Sequence, residues 1–253
     1  MDGPEEKRET AASFGAAATA YLDSDAHRTG EDLETLAEWC RGAGTTVDVA
    51  TGAGHTAGAV AAVGVETVVA VDSSPEMVET AVDAFDVAGL VGDAERLPIA
   101  TNGVDAVTCR IAAHHFPDPE AFVDEVARVL RPGGTVAFED NVAPDDPDVD
   151  AVLDRLERLR DPTHVRSHPT AQWCSWFEQR GFAVEDVLHF KKTLEFEPWV
   201  AAQSLEADRR ERVERLLLEA PEEVASALEV RVDDGAVESF ANRKALIRAR
   251  LSE

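Results

Sequence analysis

The chain of 253 residues is long enough for one large α/β domain with a substantial core, or for two small ones. Fifty acidic residues against 24 basic ones give a formal net charge of −26, which argues against a nucleic-acid partner because lysine and arginine contacts to phosphate dominate that affinity. No apolar run approaches the roughly 20 residues of a membrane span, and residues 1–6 carry no secretion signal, so we expect a cytoplasmic protein.

The acidic residues are dispersed along the whole chain and do not form a tail or a single block. Self-repulsion of this size works against a compact state in dilute buffer. At molar salt the Debye length falls to about 3 Å and the repulsion is largely screened. The composition therefore predicts a halophilic protein, whereas an acidic face for a basic partner would require clustered acids.

Residues 45–190 alternate short β-type runs with helical stretches, which is typical of a mostly parallel sheet with helices on its faces. Ser74 and Asp118, each followed by proline, predict the N-caps of two of these helices. The predicted strands cover 45–50, 66–71, 88–91, 104–109, 134–139 and 182–188.

Two regions lie outside this alternation. Residues 10–41 look helical, and residues 200–230 are helical and charged before a last β-like run at 242–250. No repeat or linker separates these parts, so we expect one domain over 1–253 with an N-terminal helical cap, a core at 45–190, a helical insert and a final strand. The 200–230 helices are expected either to cover the site or to mediate a homodimer.

Glycines follow the first predicted strand, where Gly52 and Gly54 precede a helical stretch. Such a loop lets the backbone pass close to a ligand while helix N–H groups face it. Residues 52–58 also fit a GxGxxxG dinucleotide loop, so an NAD(P) oxidoreductase is an alternative. That alternative requires a hydride-transfer constellation such as Tyr-x-x-x-Lys, and the single tyrosine, Tyr21, has no lysine near it.

Acidic residues accompany three successive strands. Asp48 lies within the first strand, Asp72 closes the second, and Asp93 follows the third. The carboxyl ends of parallel strands share one sheet edge, which is where open α/β sheets bind ligands. A carboxylate at Asp72 is placed to accept ribose hydroxyls, and Asp93 is placed to accept an adenine amino group.

The motifs together resemble class I S-adenosylmethionine-dependent methyltransferases, in particular the small-molecule group that includes ubiquinone and menaquinone biosynthesis enzymes. The resemblance covers residues 15–190. It implies a Rossmann-like seven-stranded mixed sheet, flanked by helices, with the last strand antiparallel. The matching motifs are Asp48-Val-Ala-Thr-Gly-Ala-Gly54, Val71-Asp-Ser-Ser-Pro-Glu-Met77, Gly92-Asp-Ala-Glu-Arg-Leu-Pro98 and Arg128-Val-Leu-Arg-Pro-Gly-Gly134.

The resemblance also implies a cofactor site for S-adenosylmethionine. Gly52 and Gly54 would let the methionine portion approach the backbone, Met77 would pack near the adenine, and Arg110 would border the methionine end. The backbone of Ala94 would contact the adenine edge. The implied cofactor-binding set is Asp48, Ala50, Gly52, Gly54, Asp72, Ser73, Met77, Asp93, Ala94 and Arg110, where Ala50 replaces a glycine that many family members have.

The methyl donor is already activated, so the protein mainly aligns the reactants and needs a base only if the acceptor must lose a proton. His115, after the fourth strand, is the candidate base and its neighbour His114 a second candidate, with the alternative that one of the pair caps or orients the loop. Residues 139–141 would line the acceptor pocket or be solvated. Residues 161–166 with Arg110 would hold an anionic acceptor or form a local salt bridge, and Tyr21 with residues 27–28 would belong to a lid.

The predicted function is methyl transfer from S-adenosylmethionine to a small-molecule carbon, oxygen or nitrogen. One alternative is a non-catalytic module that keeps the fold and binds the nucleotide. Another is arsenite or thiol methylation, which requires Cys40, Cys109 and Cys174 to converge in space. No metal site is expected, because no third ligand accompanies the adjacent histidines at a recognisable spacing.

Overall fold

The computed structural model describes residues 3–16, 18, 22, 28–203 and 205–253. Its strands are β1 (Thr45–Val49), β2 (Thr67–Asp72), β3 (Ala88–Val91), β4 (Val104–Arg110), β5 (Leu130–Asn141), β6 (Phe182–Glu195), β7 (Arg231–Asp233) and β8 (Ala236–Leu251). Its helices are α1 (Gly3–Ala16), α2 (Glu31–Glu38), α3 (His55–Ala62), α4 (Pro75–Ala84), α5 (Pro119–Val129), α6 (Pro147–Arg160), α7 (Thr170–Gln179), α8 (Phe196–Ala201), α9 (Ala207–Leu218) and α10 (Glu222–Ala227).

All eight strands form one mixed sheet in the order β3-β2-β1-β4-β5-β8-β6, with the short β7 paired to β8. Strands β1 to β5 are parallel, and β8 runs antiparallel to both β5 and β6. The predicted fold class, including an antiparallel last strand, is confirmed. Parallel order brings the carboxyl ends of β1, β2, β3 and β4 to one edge.

Apolar side chains cover both faces of the sheet. On β2, Val69 and Val71 pack into one hydrophobic cluster while Val68 and Ala70 pack into another, as the two-residue period of a strand requires. The helices that flank the sheet supply the rest of both clusters. A third cluster joins α6 to α8, α9 and α10 against the start of β8. These C-terminal helices therefore have a core of their own beside the sheet.

The N-caps predicted at Ser74 and Asp118 are present. The Ser74 hydroxyl accepts a hydrogen bond from the backbone N–H of Met77 at 3.2 Å, and the Asp118 carboxylate accepts one from Ala121 at 3.0 Å. Each cap fixes the residue at which its helix begins. Among the described residues, no helix is long and apolar enough to cross a membrane.

The sheet extends further at its antiparallel end than the sequence predicts. β6 continues to Glu195 instead of ending at residue 188, and β8 begins at Ala236 instead of residue 242. The two strands stabilise one another over a long register that runs from Phe182 opposite Leu251 to Glu195 opposite Ser239. The sequence after residue 188 is mostly polar and does not by itself predict a strand. Its pairing with β8, which lies far away in the sequence, extends β6 to Glu195.

A tight turn adds β7, which the sequence analysis does not predict. Asp234 and Gly235 both have positive φ, at 47° and 82°, and join β7 to β8. Asp-Gly is a preferred pair for two-residue hairpins of this type. The signal was therefore present in the sequence at 234–235.

Gly54 caps α3 with φ of 91°, in close contact with α4. A Cβ atom there would lie 2.7 Å from the Cβ and 2.9 Å from the Cα of Ala81. Gly42 has nearly the same backbone, with φ of 87°, but nothing lies within 4 Å of its missing Cβ. The two positions therefore separate backbone strain from steric overlap.

We expect Gly42→Ala to lower the free energy of unfolding by about 1–2 kcal/mol, the cost of a left-handed L-residue. Gly54→Ala should lose a further 1–3 kcal/mol or so, since the Ala81 backbone cannot yield without displacing α4. Urea unfolding in 2 M KCl measures both. Equal losses for the two variants would show that the contact between the loop and α4 is not tight.

Candidate active site

A cavity of about 270 Å³ opens at the carboxyl edge of the parallel strands. The loop after β1, the ends of β2 and β3, and the segment after β4 form its walls, and α1 closes it from above. The predicted site residues that line it are Ala50, Gly52, Asp72, Ser73, Met77, Asp93, Ala94, Arg110 and His115. Asp48, Gly54 and His114 are not among its lining residues.

The loop after β1 turns by means of three left-handed residues. Ala50, Gly52 and Gly54 have φ of 53°, 54° and 91°. The Thr51 amide donates to the carbonyl of Val71 at 3.0 Å, which ties the loop to β2. Nothing lies within 4 Å of the position that a Cβ of Gly52 would take. The loop therefore leaves an open cradle on the cavity side, while Ala50 accepts the strain that a glycine would avoid.

Asp48 lies beneath this loop and is 1 % exposed. Its carboxylate accepts hydrogen bonds from the hydroxyls of Thr51 at 2.6 Å and Thr108 at 2.7 Å. Burial raises the pKa of Asp48 to about 6, although both hydroxyls favour the charged form. The structure places this residue as a support for the loop, where it joins β1 to β4.

Asp72 ends β2 at the cavity wall. Its Oδ2 accepts from the backbone N–H of Gly52 at 2.9 Å, and its Oδ1 accepts from that of Ser74 at the same distance. Burial raises the pKa of this carboxyl, and the backbone donors oppose that shift. The carboxylate is thus held rigidly between the loop and α4, with Ser73 and Met77 beside it in the wall.

Asp93 contacts α1. The Nζ of Lys7 lies 2.7 Å from Asp93 Oδ2 and also pairs with Glu95, while Asp93 Oδ1 accepts from the Glu95 amide at 2.9 Å. Partial burial alone would lower the pKa of Lys7, but the two carboxylates raise it above its ordinary value. This ion pair fastens α1 across the cavity.

Arg110 belongs to a buried cluster of four charges. Its Nε lies 2.7 Å from Glu139 Oε2, and its Nη2 lies 3.0 Å from Asp32 Oδ2. Lys244 completes the cluster, with Nζ 2.9 Å from Glu139 Oε1. Burial raises the pKa of Glu139. The cluster fixes Arg110 at the cavity wall through Asp32 on α2 and Glu139 on β5, and Lys244 on β8 supports Glu139.

Burial alone would also raise the pKa of Asp32, yet this pKa lies well below its ordinary value. The causes are a hydrogen bond with Glu139 and the positive charges of Arg110 and Lys244. Asp32 therefore stays ionised, and α2 remains anchored to the sheet by charge as well as by packing.

The two adjacent histidines have different environments. His114 is buried, and its Nδ1 lies 2.6 Å from Asp140 Oδ1. Burial alone would lower the pKa of His114, but the Asp140 carboxylate raises it above its ordinary value. Its backbone amide donates to Asp140 Oδ2 at 2.7 Å. His114 thus holds the loop after β4 to the end of β5, as the sequence analysis expected for one of the pair.

His115 lines the cavity. Its Nδ1 lies 3.0 Å from the carbonyl oxygen of Thr163, which can only accept, so the proton sits on Nδ1 and the lone pair on Nε2. Burial and the neighbouring charge of His114 lower the pKa of His115 to about 4. The ring of Phe14, on α1, packs edge-on against it with centroids 4.9 Å apart. His115 is therefore a neutral imidazole at neutral pH.

The segment at 161–166 supports His115. Asp161 Oδ1 accepts from the amide and hydroxyl of Thr163, at 2.8 and 2.6 Å, and so fixes the carbonyl that holds the imidazole. Arg166 pairs with Asp150 and Asp154 on α6 and does not line the cavity. Of the two interpretations of this segment, the local salt bridge is the one that the structure contains.

The remaining candidates lie away from the cavity. Glu139 and Asp140 are buried; Glu139 binds Arg110, which lines the cavity, and Asp140 binds His114, which lies behind its wall. Tyr21 and residue 27 lie outside the described residues. Cys40 packs in one core cluster while Cys109 packs in the other, and burial raises the pKa of both thiols, that of Cys40 to about 12. Within the described ranges, no group of three or more His, Cys, Asp or Glu is placed to hold a metal.

Sequence reasoning predicted an N-terminal helical cap at 10–41 but did not identify the α1 residues that line the cavity. Lys7 and Phe14 lie in a stretch without a capping signal or a clear apolar stripe, so nothing local indicated their position. It also missed the apolar wall after β4. The residues missed there are Ile111, Ala112, Phe116 and Pro117.

A glycine loop and two carboxylates at three adjacent strand ends define a Rossmann-like nucleotide-cofactor enzyme. Comparison with known proteins identifies the family. The methyltransferase domain profile matches residues 47–138. An uncharacterized methyltransferase of Bacillus subtilis, YcgJ, is 35% identical over 208 residues, covering 79% of this chain and 82% of that protein.

Solved structures agree with this finding. A putative methyltransferase of Bacillus halodurans is 34% identical, covers 88% of this chain and all of its own, and superposes with a TM-score of 0.85. The crystal structure of YcgJ gives 32% identity and a TM-score of 0.83, over 88% of this chain and 98% of that one. The chain belongs to the methyltransferase family and is an S-adenosylmethionine-dependent methyltransferase, which confirms the predicted class.

The support that Asp48 gives the loop can be measured through its protonation. A carboxyl whose pKa is raised by folding, from near 3.8 to about 6, contributes most to stability below the unfolded value. That contribution is lost as pH rises through 6, since the folded state must then bury a charge.

We expect Asp48→Asn to raise the free energy of unfolding, relative to the wild type, by more at pH 8 than at pH 4.5. The difference should be at most about 3 kcal/mol, the free energy of two pKa units. Asparagine keeps a partner for each threonine hydroxyl, because a hydroxyl can donate or accept. Thermal unfolding at both pH values in 2 M KCl measures the difference. A variant that is destabilised equally at pH 4.5 and pH 8 would contradict a raised pKa.

Proposed function

We propose that the cavity binds S-adenosylmethionine and a small-molecule acceptor, and that His115 removes a proton from the acceptor during methyl transfer. The observation that supports this proposal is the convergence of the Gly52 cradle, Asp72, Asp93 and His115 on one cavity. The family and the fold imply the cofactor. The assignment of individual residues to it is our inference.

The donors and acceptors present fit the cofactor. The open space at Gly52 admits the amino-acid portion close to the backbone, and the rigid carboxylate of Asp72 suits a ribose diol. Asp93, with the backbone at Ala94, would bind the adenine edge against Met77. Arg110, which already pairs with Glu139 and Asp32, would border the methionine end.

When bound, S-adenosylmethionine supplies an activated methyl group on a sulfonium. The protein then has to align an acceptor and exclude water. α1 covers the cavity and is fastened by Lys7, so it provides the exclusion. Asp93 has an ionic partner on this helix, and adenine binding at the same carboxylate therefore couples cofactor binding to the position of α1.

His115 is the candidate general base. Its proton is fixed on Nδ1 by the Thr163 carbonyl, which leaves Nε2 able to accept a proton from an acceptor O–H, N–H or acidic C–H. Asp161 acts through Thr163 and is a positioning residue. A pKa near 4 keeps the base neutral across the neutral pH range.

The acceptor side of the cavity favours a small, mainly apolar molecule. Phe14, Ile111, Ala112 and Phe116 surround His115 there, and the nearby cations Arg110 and Lys7 are each paired with carboxylates. An anionic acceptor would have to displace those pairs. A phenol, quinol or similar weak acid fits both the apolar wall and the neutral base.

We also propose that the protein functions in the cytoplasm of a salt-loving organism. The net charge of −26 supports this, because molar salt screens the repulsion that it creates. Cofactor binding and activity are therefore measured in 2 M KCl.

The cofactor site is tested by calorimetry with S-adenosylmethionine. We expect Asp72→Asn to weaken binding about 10–100-fold, which corresponds to roughly 1.5–3 kcal/mol for hydrogen bonds to a charged group. Asp83→Asn, at an exposed carboxylate of α4, is the matched control and should bind like the wild type. Failure of the folded wild type to bind millimolar cofactor would reject the assignment of the cavity.

The base is tested with His115→Asn. The control variant is His55→Asn, at a histidine on another wall of the same cavity. S-adenosylhomocysteine release is measured over a panel of phenols and quinols. For acceptors that the wild type methylates, His115→Asn should lower kcat by about 10²–10⁴ and leave cofactor affinity unchanged. Wild-type kcat/KM should be flat above pH 5 and fall as pH drops through about 4, where His115 gains a proton.

Nitrogen-15 NMR of His115 supplies a readout that needs no acceptor. The ring should be neutral at pH 7 with its proton on Nδ1. A cationic ring at that pH, or full activity of His115→Asn, would contradict the role of general base.

A further inference from the structure

One end of the sheet is an open strand edge. β6 spans Phe182–Glu195 and pairs with β8 on one side, and no strand in the described part of the chain pairs with its other side. Val187 and Leu188, near its middle, are 36 % and 39 % exposed. A long edge with exposed apolar residues is a site at which another strand can add.

The charges along this edge are arranged in a self-complementary way. Glu185 and Asp186 precede the apolar centre of β6, and Lys191 and Lys192 follow it. Two of the four lysines in the whole chain therefore lie next to each other on this one strand. An antiparallel copy of the same strand would bring the acidic end of each strand beside the basic end of the other.

Two-fold symmetry restricts the register. Opposed side chains in a sheet share a face, so a symmetric antiparallel pair must place one residue opposite itself. With His189 at the axis, Asp186 lies opposite Lys192 of the partner subunit, and Leu188 lies opposite Phe190 of the partner subunit.

Three of the edge charges, Glu185, Asp186 and Lys191, have ion partners within the chain and stay partly exposed, while Lys192 is half-buried. Glu185 lies 2.9 Å from Arg250 and 3.1 Å from Arg248, and Lys191 pairs with Glu229. The side chains of Glu185 and Lys191 remain 32 % and 46 % exposed, and such surface pairs contribute little to stability. These ion pairs keep the charged groups beside the β6 edge and leave the edge itself uncovered.

We infer that β6 is a dimer interface, in which two copies of the chain pair antiparallel about a two-fold axis and their sheets become continuous. The pairing removes the open edge, buries Val187 and Leu188, and sets acids against bases. It also places the contact of two very acidic chains at a strand that carries two of their few lysines. The inference is independent of the proposed chemistry at the cavity.

The first test is the mass of the intact protein in 2 M KCl, measured by light scattering after gel filtration at 10–100 μM. We expect a dimer for the wild type. A first variant, Glu185→Lys with Asp186→Lys, and a second, Lys191→Glu with Lys192→Glu, should each be monomeric, because like charges then oppose each other. A wild type that is monomeric throughout this range would overturn the proposal.

Mixing the two variants tests the antiparallel pairing itself. The basic edge of the first faces the acidic edge of the second, so an equimolar mixture should recover the dimer. Contact pairs are screened less than the long-range repulsion, so molar salt does not abolish the effect. Glu66→Lys with Glu79→Lys, two exposed acids elsewhere, is the control for net charge and should stay dimeric.

Leu188→Lys provides a second variant that leaves the four edge charges unchanged. It should dissociate the dimer, while Val82→Lys, at a valine of similar exposure on α4, should not. Circular dichroism shows whether each variant is folded. A dimer that persists in Leu188→Lys and in both charge variants would place the interface elsewhere and overturn the proposal.

Discussion

The buried carboxylate of Asp48 is the constraint on which the cofactor side of this structure depends. It lies among the parallel strands of the sheet, where water cannot reach it, and the hydroxyls of Thr51 and Thr108 donate to it. One hydroxyl belongs to the loop after β1 and the other to β4. Burial of this carboxylate therefore costs stability. Its hydrogen bonds also hold the loop, with its left-handed residues, against β4.

The end of β5 performs the corresponding task on the acceptor side. Glu139 and Asp140 are adjacent, so their side chains point to opposite faces of the sheet. Glu139 holds Arg110 at the cavity wall, and Asp140 holds His114, whose neighbour is the candidate base. Glu139 acts through the last residue of β4 and Asp140 through the loop that follows it, and neither carboxylate lines the cavity. The geometry of the wall is thus set by groups behind it.

The sequence was informative where local signals and strand order decide the structure. The glycine loop, Asp72 and Asp93 could be placed because parallel strands end at one edge. The wall formed by α1 could not, since the contact of Lys7 with Asp93 spans 86 positions and depends on how the helix packs. Asp48 was assigned to the cofactor because the motif gives its place in the strand, while its orientation, toward Thr51 and Thr108, follows only from the packed sheet.

The few lysines show how an acidic chain distributes a scarce residue. Arginine forms most of the surface ion pairs. The four lysines lie at the cavity, in the buried charge cluster and on β6. Lys7 fastens α1 over the cavity, and Lys244 neutralises the buried cluster. Lys191 and Lys192 lie on the open edge of β6. A compact ammonium group suits the first two positions, because it can bind two carboxylates at once. In the proposed dimer, the adjacent lysines on β6 would likewise lie close to carboxylates, those of the second chain.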